Sequence, residues 1–216
     1  FIAFKSISAK NAGDQSSFFK FEGQIKPEQL TKEGDSRINI ALLGADAAAG
    51  LTDSISIVSI DPINKAIAMI SIPRDLSVYN SVEKRQTKIN EIYNSGISQC
   101  KSNKAACDSD VDSGGELIKS TLSEILDIRV SYFARVDFEG LKTIVDNLGG
   151  IQIYVDKAIY DPLFPNNTNT GYDPFRISAG LQNMNGTTAL KYARSRQTTS
   201  DFDRSRRQQQ VISAIR

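Results

Sequence analysis

Short apolar runs followed by helical periodicities give this chain the pattern of an α/β protein. Residues 38–43 form a nearly continuous apolar run that ends at Gly44, which is typical of a central strand buried on both faces. Residues 54–60 and 66–72 are rich in β-branched side chains, and the turn residues between them predict an antiparallel hairpin. The organised part of the chain is therefore expected to open with three strands.

The rest of the chain interleaves helices with strands. Residues 131–136 and 151–155 predict two further strands. Residues 160–176 hold three prolines and several Asn and Thr residues, which predicts a long loop of the kind that is often functional. Helices are predicted over residues 88–96, 115–126, 138–148, 186–192 and 203–215. We expect an α/β fold with a central mixed, partly antiparallel β-sheet and helices on both faces.

Length and composition bound the domain organisation. The chain has 216 residues, 40% of them hydrophobic and 24% charged, which is ordinary globular composition. We expect a peripheral extension over residues 1–36 and a single organised domain over residues 37–216. No run approaches the roughly 18–20 apolar residues of a membrane span, so no span is predicted within this chain.

Charge and the missing histidine narrow the chemistry. Lys and Arg number 26 against 25 Asp and Glu, so a generic polyanion binder is not expected. The chain has no histidine, which excludes Ser-His-Asp and Cys-His triads and zinc sites that need imidazole. The groups that remain available for catalysis or ligand binding are carboxylates, guanidinium groups and hard, oxygen-bound cations such as Mg²⁺.

The two cysteines, Cys100 and Cys107, lie seven positions apart. We expect them to form a short-loop disulfide, which favours an oxidising compartment. The alternative is two free thiols in an exposed loop.

Arginine is concentrated at the C-terminal end. Seven basic side chains against two acidic ones lie between Lys191 and Arg216, a local excess of five positive charges. Planar guanidinium groups bind phosphate oxygens in a bidentate way that an ammonium group does not. The arginines are Arg194, Arg196, Arg204, Arg206, Arg207 and Arg216.

One face of the last predicted helix changes from polar to apolar along its length. Its members, in chain order, are Arg204, Gln208, Val211 and Ile215. The polar end coincides with the helix N-terminus, where backbone N–H groups favour an anion. This pattern predicts that Arg204 and Gln208 reach a partly buried anion site. A salt bridge from Arg204 to a neighbouring aspartate is the alternative.

Charged residues also lie at the ends of the predicted strands. Asp46 follows the first strand, Asp53 opens the second, and Arg74 and Asp75 follow the third. If the first two strands are antiparallel neighbours, Asp46 and Asp53 meet at one edge, where two carboxylates can share a hard divalent cation. The alternative is that Asp46 caps a turn and Asp53 caps a strand.

These residues belong to seven motifs that occur in the same order in LytR-CpsA-Psr proteins. The chain resembles that family from Arg37 to Arg216. The motifs are NIALLGAD (39–46), TDS (52–54), SIPRD (71–75), KIN (88–90), VDFEGLKTIVDNLGGI (136–151), ALKYARSR (189–196) and DFDRSRRQQQV (201–211).

The resemblance implies a function at the bacterial cell wall. Proteins of this family are held outside the cytoplasmic membrane by an N-terminal helix, which is not part of this chain. They are phosphotransferases that move a glycan phosphate from a polyprenyl-pyrophosphate carrier to a hydroxyl of peptidoglycan. The attached polymers are of the teichoic acid, capsule or arabinogalactan type.

The resemblance also implies roles for individual residues. Asp46 and Asp53 match the aspartates that bind Mg²⁺, with Mn²⁺ as an alternative ion. The implied catalytic residues are Arg74, Asp75 and Arg196, with Asp75 as the candidate general base. The residues implied to bind pyrophosphate are Arg74, Lys88, Arg194, Arg196, Arg204, Arg207 and Gln208. One departure is Leu51, which stands where many members carry an arginine two positions before the second aspartate.

Three other functions compete with the phosphotransferase. If water is the acceptor in place of the sugar hydroxyl, the protein is a magnesium-dependent pyrophosphatase. If it binds the same carrier without catalysing a reaction, it is a carrier-lipid-binding protein. A nucleic-acid-binding module is disfavoured by the near-zero net charge and the absence of a DNA-reading motif. The phosphotransferase predicts an apolar tunnel for the prenyl chain, for which the candidate lining residues are Leu122, Ile125, Leu141, Ile144, Val211 and Ile215. Each of these residues can equally belong to an ordinary core.

Overall fold

A computed structural model describes residues 31–32, 37–45, 51–102, 111–166, 170–195 and 201–215. The chain divides into two compact units, residues 1–137 and residues 138–216. The strands of the first unit are β1 (Ile38–Ala45), β2 (Thr52–Asp61), β3 (Ala66–Ile72), β4 (Ser77–Asn80), β5 (Arg85–Lys88) and β6 (Tyr132–Asp137), and its helices are α1 (Ile89–Ser102) and α2 (Ser113–Leu126). The second unit contains α3 (Phe138–Asn147), β7 (Ile151–Val155), β8 (Ile159–Asp161), β9 (Phe175–Ile177), β10 (Gly180–Met184), α4 (Gly186–Arg194) and α5 (Asp201–Ala214).

The first unit is built on a four-stranded mixed sheet in the order β3-β2-β1-β6. Strand β1 is antiparallel to β2 and parallel to β6, and β2 is antiparallel to β3. The apolar run of β1 suits this central place, since Ile40, Ala41 and Leu43 are all buried although they point to alternating faces. The predicted mixed, partly antiparallel sheet is therefore confirmed.

Helices α1 and α2 complete the core of the first unit. Ile92 of α1 and Leu122 of α2 are fully buried in the same cluster as Leu43 and Ile57 of the sheet. Helix α2 lies so close to β6 that a Cβ at Gly115 would come within 2.0 Å of Phe133 Cζ. A larger residue at that position would require the buried Phe133 ring to move.

The second unit has its own core. Strands β7 and β10 pair antiparallel, as do β8 and β9. Val145 of α3, Tyr192 of α4 and Val211 of α5 are buried together with the inward side chains of β7. Of the face predicted for α3, Val145 is buried and Leu148 is exposed, and α5 presents its apolar end to this core.

The structure differs from the sequence prediction mainly in short strands. The region 160–176, predicted as a long loop, begins in β8 and ends in β9, with an isolated bridge between Pro165 and Tyr172. The hairpin of β4 and β5 and the strand β10 were also not predicted. Strands of three to five residues contain too few alternations to reveal a period of two, and their pairing depends on residues distant in sequence.

Two expectations concern the membrane and the cysteines. Among the described residues, no helix is both long and apolar enough to cross a membrane. Cys100 lies in the last turn of α1, whereas Cys107 lies outside the described residues, so the disulfide stays a prediction.

Candidate functional site

An irregular end of the β1–β2 hairpin places Asp53. Gly44 pairs with Ser54 and Ala45 pairs with Thr52, so the register shifts and Asp53 is left without a partner in this pairing. An extra residue of this kind bends the strand and redirects its side chain, a device that is common beside functional sites. Gly44 permits the tight pairing, because a Cβ there would lie 2.3 Å from Ser54 Oγ.

Arg74 lies between two carboxylates. Its Nη1 donates a hydrogen bond of 2.9 Å to Asp53 Oδ1, and its Nε lies 3.5 Å from Asp75 Oδ2. Lys88 continues the series, since its Nζ donates to Asp75 Oδ1 at 2.7 Å. Asp53, Arg74, Asp75 and Lys88 thus form one partly exposed chain of alternating charges, which we call the charged network.

Main-chain hydrogen bonds hold the turn that carries Arg74 and Asp75. The N–H of Leu76 donates to the carbonyl of Pro73 at 3.0 Å, which closes the turn. The first N–H groups of α1 then bind this turn, from Ile89 to Leu76 at 2.9 Å and from Asn90 to Arg74 at 3.3 Å. These donors have no partner inside their own helix, so α1 anchors the turn while satisfying its own N-terminus.

The hydrogen bond from Lys88 lowers the pKa of the Asp75 carboxyl below its ordinary value, with further help from the charges of Lys88 and Arg74. Asp75 is therefore ionised at neutral pH. A lowered pKa also makes it a weak proton acceptor as long as Lys88 stays bound.

The predicted metal site is described only in part. Ala45 and Thr52, which precede Asp46 and Asp53 in the sequence, are paired, so the strand arrangement that the prediction required is present. The carboxylate of Asp53 is an oxygen ligand of the kind that Mg²⁺ accepts, but Asp46 lies outside the described residues. No cluster of three or more Cys, Asp or Glu residues able to hold a metal is found in the described part of the chain. Metal binding by Asp46 and Asp53 stays a prediction.

In the second unit, α5 buries two of its arginines. Arg204 is 9% exposed and Arg207 is 3% exposed, and both lie on the side of the helix that also buries Val211. The predicted face is thus present, with Gln208 half-buried beside it. The burial of Arg207 was not predicted, although its spacing of three residues from Arg204 and four from Val211 places it on the same face.

Arg207 binds the main chain of its own unit. Its Nε donates to the carbonyl of Tyr192 at 2.9 Å, and its Nη2 donates to the carbonyl of Ser195. Burial lowers the pKa of this guanidinium group, which still remains charged at neutral pH. Pyrophosphate binding by Arg207 stays a prediction.

Arg194 stacks on aromatic rings. Its guanidinium carbon lies 3.9 Å from the ring centroid of Phe138 and 5.6 Å from that of Phe164. Such cation–π contacts keep the guanidinium plane in a defined orientation. The sequence prediction missed this contact, because Phe138 and Phe164 are far from Arg194 in the sequence. Arg196, the remaining predicted arginine, lies outside the described residues.

Two open cavities are found in the second unit, of about 510 and 670 Å³. Both touch Asn183 and Thr188, and the larger also contains the Gly149–Gly150 turn. Their linings mix polar and apolar groups, so neither is the apolar tunnel that a prenyl chain would need. Of the candidate tunnel residues, Leu122 and Val211 are buried in the cores and Ile125 is exposed. The tunnel itself stays a prediction.

The chain is thus an α/β protein whose mixed sheet carries a network of Asp, Arg and Lys side chains at the ends of its strands. The LytR_cpsA_psr family model matches residues 3–216, and the chain belongs to this family.

Individual relatives agree with this assignment. The regulatory protein MsrR of Staphylococcus aureus (strain COL) is 33% identical over 215 residues, which is 96% of this chain and 55% of MsrR. The polyisoprenyl-teichoic acid–peptidoglycan teichoic acid transferase TagU of Bacillus licheniformis is 31% identical over 182 residues, which is 82% of this chain and 50% of TagU. The chain thus spans about half the length of the curated relatives it matches.

A solved structure confirms the fold. The crystal structure of B. subtilis TagV matches with a TM-score of 0.65 at 28% identity, covering 83% of this chain and 63% of that chain. The predicted α/β fold of this family is therefore confirmed.

Proposed function

We propose that this protein is an enzyme that moves a glycan phosphate from a polyprenyl-pyrophosphate carrier to a hydroxyl of peptidoglycan. It acts on the outer face of a bacterial cytoplasmic membrane, to which an N-terminal helix outside this chain anchors it. Family membership supports the proposal, as does the relative TagU, whose name describes a teichoic acid transfer from a polyisoprenyl carrier to peptidoglycan. The observation that carries the proposal is the charged network of Asp53, Arg74, Asp75 and Lys88.

The network is suited to exchange partners with a phosphate. Each of its ion pairs is partly exposed, and exposed pairs of this kind contribute only about 0–1 kcal/mol to stability. A pyrophosphate diester carries two negative charges and accepts bidentate hydrogen bonds from Arg74 more strongly than one carboxylate oxygen does. The carboxylates therefore hold Arg74 and Lys88 ready until the substrate replaces them.

The reaction depends on neutralisation of the phosphate charge more than on covalent catalysis by the protein. The acceptor oxygen attacks the phosphorus that carries the glycan, the bridging P–O bond breaks, and polyprenyl phosphate leaves. Negative charge increases on the leaving phosphate, where Arg74 and Lys88 can bind it. Arg194, Arg196 and Arg204 are proposed to bind further phosphate oxygens of the carrier. When bound by Asp46 and Asp53, Mg²⁺ would supply Lewis-acid neutralisation of the phosphate oxygens.

The acceptor hydroxyl must lose a proton, and the chain offers no histidine for it. Asp75 is the proposed acceptor of this proton. Its lowered pKa depends on the hydrogen bond from Lys88. A substrate phosphate that draws Lys88 away raises the pKa of Asp75 and makes it a stronger base when it is needed.

The test is a transfer assay with a synthetic polyprenyl-pyrophosphoryl sugar and a peptidoglycan oligomer. We expect the sugar phosphate to appear on the oligomer with Mg²⁺ present, and transfer to stop when the ion is chelated. Arg74→Ala should lower kcat by roughly 10²–10³-fold, the usual effect of losing one charge-stabilising donor. Arg85→Ala is the matched control, because Arg85 is an exposed arginine of the same unit that pairs with Glu83 outside the charged network.

Product formation without the oligomer would instead identify a pyrophosphatase, and binding without turnover would identify a carrier-binding protein. Either result contradicts the proposed transfer.

A further inference from the structure

A buried polar cluster lies directly beside the predicted arginines of the second unit. Asp161 of β8, Ser195 at the end of α4 and Arg207 of α5 are 2%, 0% and 3% exposed. The Ser195 hydroxyl donates to Asp161 Oδ2 at 2.8 Å, and the Ser195 carbonyl accepts from Arg207 Nη2. Both the side chain and the carbonyl of Ser195 are thus bound inside the protein.

Arg207 completes the C-terminal end of α4. The last carbonyls of a helix have no partner within the helix, and a cation near them is stabilised by the helix dipole. Arg207 binds the carbonyls of Tyr192 and Ser195, while the Ser195 N–H donates to the carbonyl of Lys191 at 3.0 Å. One guanidinium fork therefore fixes both the last turn of α4 and the first residue after it.

The position of Ser195 in the sequence gives this cluster its significance. Ser195 separates Arg194 from Arg196, two of the residues that the proposed function assigns to pyrophosphate binding. Arg194 itself is held against Phe138, 3.9 Å from the ring centroid. Fixing the main chain at Ser195 limits the directions in which Arg194 can extend.

We propose that Arg207 is a positioning residue, which clamps the main chain at Ser195 so that Arg194 is preorganised for the pyrophosphate of the carrier. The inference rests on the proposed function, and it replaces the expected role of Arg207 as a pyrophosphate ligand. Ser195 and Asp161 support the clamp from the opposite side. A lysine cannot substitute for Arg207, since one ammonium group lacks the planar fork that reaches two carbonyls.

The test combines amide hydrogen exchange with carrier binding in the full chain. In Arg207→Gln and Arg207→Lys we expect the amides of Ala193, Arg194 and Ser195 to exchange at least tenfold faster than in wild type. We also expect the Kd for a polyprenyl pyrophosphate to rise at least tenfold. Arg206→Gln is the control, because Arg206 is the exposed neighbour that pairs with Asp156 at 2.9 Å, and both readouts should stay within twofold of wild type.

The lysine variant separates positioning from direct contact. Weak binding with normal exchange would mean that Arg207 touches the substrate, and fast exchange with normal binding would mean that the clamp is unimportant for binding; either overturns the inference. If Arg207→Gln does not fold, as judged by circular dichroism, Arg207→Lys, which keeps the positive charge, carries the test with the same expected changes. Failure of the wild type to bind the carrier would contradict the proposed function. The amide exchange rates of the variants would then show by themselves whether Arg207 holds the main chain at Ser195.

Discussion

The two units present arginine in opposite ways. In the first unit, Arg74 is partly exposed and pairs with carboxylates that are themselves at the surface. In the second unit, Arg204 and Arg207 are buried on one side of α5. Exposed pairs exchange readily with a ligand, whereas buried guanidinium groups are already desolvated and fixed. The first unit therefore carries arginine in ion pairs that a ligand can replace, and the second unit carries buried guanidinium groups held in fixed positions.

Arg204 gives the sharpest test of that contrast. It is buried in the N-terminal half of α5, where both desolvation and the helix dipole disfavour a cation. We expect Arg204→Met to weaken binding of a polyprenyl pyrophosphate by roughly 10–100-fold, the usual loss of a charge-assisted hydrogen bond. Urea unfolding of the same variant separates a loss of binding from a loss of stability. A destabilised variant with normal carrier affinity would make Arg204 a structural residue.

Asp53 tests whether the charged network also serves a metal. If Asp53 is a ligand, Mg²⁺ at tenfold over its Kd should raise the melting temperature of the wild type by roughly 3–6 °C. Asp53→Asn keeps the shape of the side chain and removes its charge, so the shift should disappear. Asp127→Asn, at the exposed C-terminal end of α2, is a carboxylate control in the same unit, and it should keep the full shift. An equal shift in wild type and Asp53→Asn would exclude Asp53 as a ligand.

Lys88 should have the smallest effect on stability, and a titration of Asp75 measures it. Lys88→Ala removes the hydrogen bond that lowers the pKa of Asp75, so that pKa should rise toward the ordinary value of 3.8 in an NMR titration. In wild type the lowered pKa contributes stability above the unfolded-state pKa, and this is lost as the pH falls through the folded-state pKa. The variant should therefore lose less stability on acidification. An unchanged Asp75 pKa would show that Lys88 does not control it.

Elements with a strong local signal were predictable. The central strand β1, the β2–β3 hairpin and the helices α2 to α5 follow from apolar runs and helical spacing within single segments. The strands β8, β9 and β10 were missed because they are short and owe their existence to pairing with distant residues. Tertiary pairing, rather than local preference, decides such strands.

The candidate site was predictable in its residue types more than in its geometry. The motifs pointed to Asp53, Arg74, Asp75 and Lys88, and the structure brings these four together. Nothing local in the sequence indicates the extra residue of β2 at Asp53, because a register shift depends on the partner strand. The burial of Arg207 and the ring contact of Arg194 depend in the same way on residues from other elements.

The most direct test of the central claim, that the charged network binds the pyrophosphate, is calorimetric titration of wild type, Arg74→Ala and Arg85→Ala with a polyprenyl pyrophosphate. The account predicts that Arg74→Ala raises the Kd by roughly tenfold or more, while Arg85→Ala stays close to wild type. Equal affinities for all three proteins would contradict it.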